Sequence, residues 1–171
     1  MNMQEAADRA ETILTHIQNG IEPVVTWGRG PSSDPICTDF KNDATGKGQI
    51  TRRKHVLTII SPERRGSFLG VVERSWKKAG YTITSVNADR RNPSMIATTP
   101  DGFRISLLVG YKGQVFLDVH SPCVTESNVA DPPVDPGAES LPPNPHDPKD
   151  PLADGPWGLP YLKSPFWSAK S

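Results

Sequence analysis

Cysteine is scarce in this 171-residue chain: only Cys37 and Cys123 are present, 86 positions apart. Neither belongs to a Cys-x-x-Cys pair, which argues against a zinc ribbon or a thioredoxin-like redox motif. Charge of one sign is also lacking. The 19 basic and 19 acidic residues cancel, so no overall field draws the chain to nucleic acid or to an acidic membrane. No run of 18 apolar residues occurs, so no segment reads as a helix able to cross a bilayer. The first residues, Met-Asn-Met-Gln-Glu-Ala-Ala-Asp-Arg-Ala-Glu, have neither a basic n-region nor an apolar h-region, so they do not read as a signal peptide.

Proline and aromatic residues are present but unevenly placed. Of 18 prolines, 11 fall in residues 131–171 and 7 in residues 1–130. The same division separates charge: residues 1–130 carry 16 Lys/Arg and 13 Asp/Glu, and residues 131–171 carry 3 and 6. The expectation is one α+β domain over residues 1–130, with its core in 3–124, followed by a proline-rich tail over 131–171. A segment of this composition favours extended polyproline geometry over a packed core.

Within the body, Ala6, Ala10, Ile13, Leu14 and Ile17 recur at helical spacing, with Glu5, Asp8, Arg9, Glu11 and Gln18 on the other side. That pattern predicts a helix over 3–18, stopped by Gly20. Val24 to Trp27 reads as a short strand. Residues 28–48 are rich in turn formers and read as a long loop pinned to the body near Cys37. Val56-Leu57-Thr58-Ile59-Ile60 reads as a strand. Ser61, Pro62 and Glu63 then mark a helix start, and Phe68, Leu69, Val72, Trp76 and Ala79 supply its apolar stripe up to Gly80.

Four further strands are expected at 81–86, 94–99, 103–109 and 114–120. Turns at Asn92-Pro93, at Thr99-Pro100-Asp101-Gly102 and at Gly110-Tyr111-Lys112-Gly113 separate them. The predicted architecture is therefore an antiparallel sheet of four to five strands with two helices packed on one face.

Three stretches carry a resemblance: Trp76-Lys77-Lys78-Ala79-Gly80-Tyr81, the Asp101-Gly102 hairpin, and Val115-Phe116-Leu117-Asp118-Val119-His120-Ser121-Pro122-Cys123. Over residues 3–124 the chain resembles small exported or lipoprotein-type α+β domains of actinobacteria. The resemblance implies a fold and a cell-envelope setting, and no activity. The chain departs from the lipoprotein pattern in having no lipidation cysteine near residue 1.

The two cysteines are read as one disulfide tying the 28–48 loop to the end of the last strand. In the chain-entropy description a loop of that length is worth about 4.5 kcal/mol. The alternative is two buried thiols in a cytosolic protein. The disulfide reading goes with an extracytoplasmic or envelope location, reached through a signal sequence outside this chain, and the thiol reading with a cytoplasmic one.

Chemistry is thinly signalled. Asp118 and His120 lie two apart on one strand and share a face, opposite Val115, Leu117 and Val119. Ser121 and Cys123 follow the other parity, so no Ser–His–Asp arrangement forms, and no nucleophile elbow is present. A polar solvent face accounts for the pair. His16, His55 and His146 lack metal-ligand spacing. Gly46-Lys47-Gly48 lacks the upstream glycine and the following Ser/Thr of a phosphate loop. No catalytic residue, metal or cofactor is assigned.

Two binding surfaces remain candidates. Arg52, Arg53 and Lys54, Arg64 and Arg65, and Arg90 and Arg91 could together track a polyanion, although zero net charge favours ordinary solvated surface. In the tail, Trp157, Tyr161, Phe166 and Trp167 place four aromatics within eleven residues. They either fold back on their own domain or form a short motif for a protein partner. The function expected from the whole is a non-enzymatic binding or interaction module at a bacterial cell envelope. The alternative is a cytosolic domain binding nucleic acid or another polyanion.

Overall fold

The computed structural model describes residues 1–146 and 158–171. The first helix, α1, spans Met3–Asn19. Asn2 caps it: its Oδ1 accepts from the Glu5 amide at 2.9 Å, and Glu5 Oε2 accepts from the Asn2 amide at 2.8 Å. This reciprocal pair satisfies two of the amides that a helix start leaves free. Met3, Ala6, Ala7, Ala10, Ile13, Leu14 and Ile17 are buried, which puts the expected stripe against the sheet.

Six strands form the main sheet: β1 (Trp27–Arg29), β4 (Thr51–Val56), β5 (Thr82–Asn87), β6 (Ser94–Thr98), β7 (Arg104–Val109) and β8 (Val115–His120). Their spatial order is β1-β4-β8-β7-β6-β5, and every neighbouring pair is antiparallel. The β5-to-β8 portion is the expected meander. At the β6–β7 turn Gly102 adopts φ 89°, a left-handed geometry that glycine accepts without strain, and its amide donates to the Thr99 carbonyl at 3.0 Å.

Strand alternation sends Met95, Ala97, Ile105, Leu107, Val109, Val115, Leu117 and Val119 to one face. The helix α2 (Arg65–Lys78) joins α1 on that face and adds Phe68, Leu69, Val72 and Trp76 to a single core.

Three expectations are corrected. The sheet has six strands, not four or five. The 28–48 stretch is not a plain loop: β2 (Ile36–Thr38) and β3 (Ala44–Gly48) form a hairpin, and β9 (Val124–Thr125) extends it to a second, three-stranded sheet. Turn-forming residues hid these strands because they are short and lie mostly in solvent, where apolar alternation is not required.

The third correction concerns 51–60. The strand is the basic run Thr51-Arg52-Arg53-Lys54-His55-Val56, and the apolar residues after it leave the sheet. Leu57, Thr58 and Ile60 are nevertheless buried, because the C-terminal segment covers them. The amides of Tyr161 and Leu162 donate to the Leu57 carbonyl at 2.9 Å, and the Ile59 amide donates to the Leu162 carbonyl at 2.7 Å. Ser61 does not cap the next element, which opens as a short 3-10 turn at Pro62–Arg64. Its hydroxyl donates instead to the Ala169 carbonyl.

Cys37 and Cys123 are joined by a disulfide, with their Cα atoms 6.3 Å apart. The bond ties β2 to the residue just before β9.

Candidate functional site

The basic strand β4 divides its charges by parity. Arg52 pairs across the sheet with Val119, and Lys54 with Leu117, so both point into the helix-covered face. Arg52 is 4% exposed and Lys54 5%. Buried cations need partners, and the cluster around these two, acceptor oxygens together with a third cation, draws on three places. From α1, Glu11, Thr15 and Gln18 form a polar stripe at i, i+4 and i+7, which is one helix face. From β1 comes Arg29. From the proline-rich segment comes Asp135.

The contacts are short and shared. Arg29 Nη1 and Nη2 donate to Glu11 Oε1 and Oε2 at 2.8 and 2.9 Å, a bidentate arrangement that suits guanidinium and carboxylate geometry. Lys54 Nζ donates to Asp135 Oδ1 and to Gln18 Oε1, both at 2.9 Å. Arg29 Nη2 also donates to Asp135 Oδ1 at 3.2 Å and to the Pro133 carbonyl at 3.4 Å. Arg52 Nη2 donates to the Ala130 carbonyl at 3.0 Å, and its Nε lies 3.4 Å from Glu11 Oε1. Burial lowers the Arg52 pKa from its ordinary value, with Glu11 opposing that shift.

Beside this cluster lies a cavity of about 570 Å³. Thr15, Thr26, Trp27 and Lys54 line its body side, and Val134, Asp135 and Leu141 its proline-rich side. Its volume falls in the range of small-molecule sites.

The opposite face of β4 and β8 carries the rest. Arg53 Nε and Nη2 donate to Asp118 Oδ1 and Oδ2 at 2.6 and 2.7 Å. The Arg53 guanidinium also lies 5.2 Å from the centre of the Phe116 ring, within cation–π range. His120 Nδ1 and Thr51 Oγ1 are hydrogen-bonded at 2.8 Å. Asp118 and His120 thus share a face, as their spacing requires, but each is engaged by a different neighbour on β4. Burial lowers the pKa of His120, and burial with Arg53 nearby lowers that of His55. Among the described residues, no group of three or more His, Cys, Asp or Glu is placed to hold a metal ion.

The seven basic residues read as a polyanion surface go to separate places. Arg52 and Lys54 are inside, and Arg53 is paired on the outer face. Arg64 stacks 4.5 Å from the Phe166 ring centre and donates to the Ser171 carbonyl at 2.8 Å. Arg65 is buried and donates to the Arg91 carbonyl at 2.8 Å. Arg90 and Arg91 line a second cavity, about 560 Å³, with Pro62, Glu63, Leu69 and Pro93.

The aromatic end is likewise divided. Trp157 lies outside the described residues. Trp167 is 0% exposed and joins the core. Its Nε1 donates to the Pro23 carbonyl at 2.7 Å. Tyr161 is half-buried, and its hydroxyl donates to the Pro142 carbonyl at 2.8 Å. Phe166 remains exposed at 39%.

Sequence reasoning passed over Glu11, Arg29 and Asp135. One signal was available: Arg52, Lys54 and Val56 share strand parity, and Glu11, Thr15 and Gln18 share a helix face. Nothing local marked Asp135.

No family model matches the chain, and no curated protein matches it. Among solved structures the chain is similar to the crystal structure of a DUF4853 family protein from Actinomyces odontolyticus. That match has a TM-score of 0.41 and 10% identity, and covers 85% of this chain and 79% of that one. No described helix is long and apolar enough to cross a membrane.

Proposed function

We propose that the protein is a non-enzymatic binding module that works outside the cytoplasm, at a bacterial cell envelope. The observation that carries this reading is the Cys37–Cys123 disulfide, because such bonds persist in oxidising compartments and are rare in reducing ones. The envelope placement also follows the resemblance of residues 76–81, 101–102 and 115–123 to exported domains.

The bond fixes the base of the β2–β3 hairpin, and the tip of that hairpin is internally ordered. Asp39 Oδ1 accepts from the amides of Lys41 and Asp43 at 2.8 and 3.0 Å. On this tip Phe40 is 91% exposed. A rigid mount for an exposed aromatic suits recognition better than catalysis, since such side chains supply contact area at low entropic cost.

Polyanion binding through the basic pairs is the weaker reading, because Arg52 and Lys54 are buried and Arg53 is paired. Thiol alkylation followed by mass measurement, on protein taken from its native cells and denatured without reductant, tests the main reading. Two blocked thiols and a cytoplasmic fraction would overturn it. Retention on heparin at low salt that is lost at high salt would favour the polyanion reading instead.

A further inference from the structure

The segment 131–141 crosses the cavity beside Lys54 in an unusual state. It contributes no strand, and its only regular structure is a 3-10 turn at Ala138–Ser140. None of the residues from 131 to 146 is buried. Of its two branched aliphatic side chains over the cavity, Val134 is 79% exposed and Leu141 is half-buried. What holds this strap is polar: the Asp135 carboxylate on Lys54 and Arg29, and the Pro133 carbonyl on Arg29. Lifting it away therefore uncovers no fully buried strap residue, and the main polar loss is the anion that meets two cations.

The body of the domain is left incomplete by that loss. Among the described residues, Arg29, Arg52 and Lys54 would then have only Glu11 in direct ionic contact, with Asp34 and Asp131 acting on Arg52 from farther off. A nearly dry lysine without a carboxylate is costly.

We propose that Asp135 is a built-in stand-in for a ligand carboxylate, and that the cavity behind the strap is a binding site for small monocarboxylates with an apolar body. An incoming carboxylate takes the Asp135 position, accepting from Lys54 Nζ and Arg29 Nη2, and the strap swings off. The apolar body of the ligand lies against Trp27 and Val25, which line the cavity. Thr15 and Thr26 offer hydroxyls to a polar substituent. Glu11, fixed on Arg29, repels a second negative charge, so dianions are disfavoured. The strap acts as an internal competitor, and the affinity seen from outside is the intrinsic one multiplied by the fraction of time that Asp135 is unseated. The idea rests on the binding-module reading and names its ligand class, but its test is independent of the disulfide and of cellular location.

The test uses the full chain, with benzoate as probe and neutral benzamide as control. In the unmodified protein, benzoate and not benzamide is expected to speed amide hydrogen exchange across 131–141. Asp135→Asn removes the competing charge at nearly constant size, and is expected to bind benzoate roughly tenfold or more tightly than the unmodified chain in titration calorimetry. Equal affinity in the two proteins, equal response to benzamide, or no binding by either protein at tens of millimolar benzoate would overturn the proposal. If Asp135→Asn does not fold, the exchange experiment on the unmodified chain decides alone: unchanged exchange across 131–141 overturns it. A negative result here, with the disulfide intact in native cells, leaves the binding-module reading standing.

Discussion

Trp167 stands edge-on to Phe68, with ring centroids 5.3 Å apart and planes at 82°. Phe68 belongs to α2, so this contact joins the far end of the chain to a helix in the middle of the core. Both side chains are fully buried, and the geometry is the edge-to-face arrangement that aromatic quadrupoles favour. Trp167→Ala is expected to destabilise the protein by about 3–5 kcal/mol, through lost burial and the cavity left behind. Truncation after residue 130 should cost at least as much, since it also uncovers Leu57 and Ile60. Chemical denaturation with matched m-values checks both. A midpoint unchanged by either variant would mean that the tail is not part of the core.

The disulfide closes a separation of 86 residues. Cys37→Ala combined with Cys123→Ala should lower stability by about 2–5 kcal/mol. For a chain of this length that corresponds to a fall in Tm of about 2–4 °C per kcal/mol. Calorimetry on the double variant gives the number. Hydrogen exchange should show the loosening concentrated in 36–44, because there β2 and the hairpin tip are held by pairing with β3 and by the disulfide, whereas β3 also pairs with β9.

At the β6–β7 turn, Arg9 Nε donates to Asp101 Oδ2 at 2.8 Å. That hydrogen bond is the main reason the Asp101 pKa falls to about 2, with Thr99 adding to it. The folded pKa lies below the unfolded one, so the contribution is present above about pH 4 and is lost as pH falls toward 2. The pair is more than a third exposed, so its worth is at most about 1 kcal/mol. Asp101→Asn should flatten the acid limb of the stability curve by that amount, and the gap between this variant and its parent should narrow as pH falls through about 2. A carboxyl resonance titrating near pH 4 in the parent would refute the assignment.

Phe40→Ala should change stability by less than about 0.5 kcal/mol, because a side chain 91% exposed has almost no folded contacts to lose. The same variant should weaken capture of any partner that docks on the hairpin tip. A drop in Tm of several degrees would show instead that Phe40 is covered in solution.

The parts of the fold that announced themselves obey simple periods. α1, α2 and the β5-to-β8 meander each bury one regular stripe, so apolar spacing alone marks them. The pairing of the two cysteines was legible because just two are present and each lies beside a turn-rich segment whose strands the sequence does not mark. The strand β4 was not, since its inward positions hold Arg52 and Lys54 where hydrophobic residues are expected. Those charges are tolerated inside only because Glu11 and Asp135 arrive from 41 positions before Arg52 and 81 positions after Lys54. Local reading cannot see such compensation. The same holds for the 56–60 run, whose apolar character answers to a C-terminal segment rather than to a neighbouring strand. The buried part of the site was hidden for this reason, while Arg53, Asp118 and His120 on the outer face followed parity.

The pairing of Leu57 and Ile59 with Leu162, and of Ser61 with Trp167, has a consequence for biogenesis. Synthesis proceeds from the N-terminus, so residues 161–169, which shield Leu57 and Ile60, emerge long after them. Until then the nascent chain keeps an open seam in its core, and tertiary closure waits for the C-terminal residues. Closure of this core therefore depends on contacts between residues 57–61 and 161–169, which are far apart in the chain.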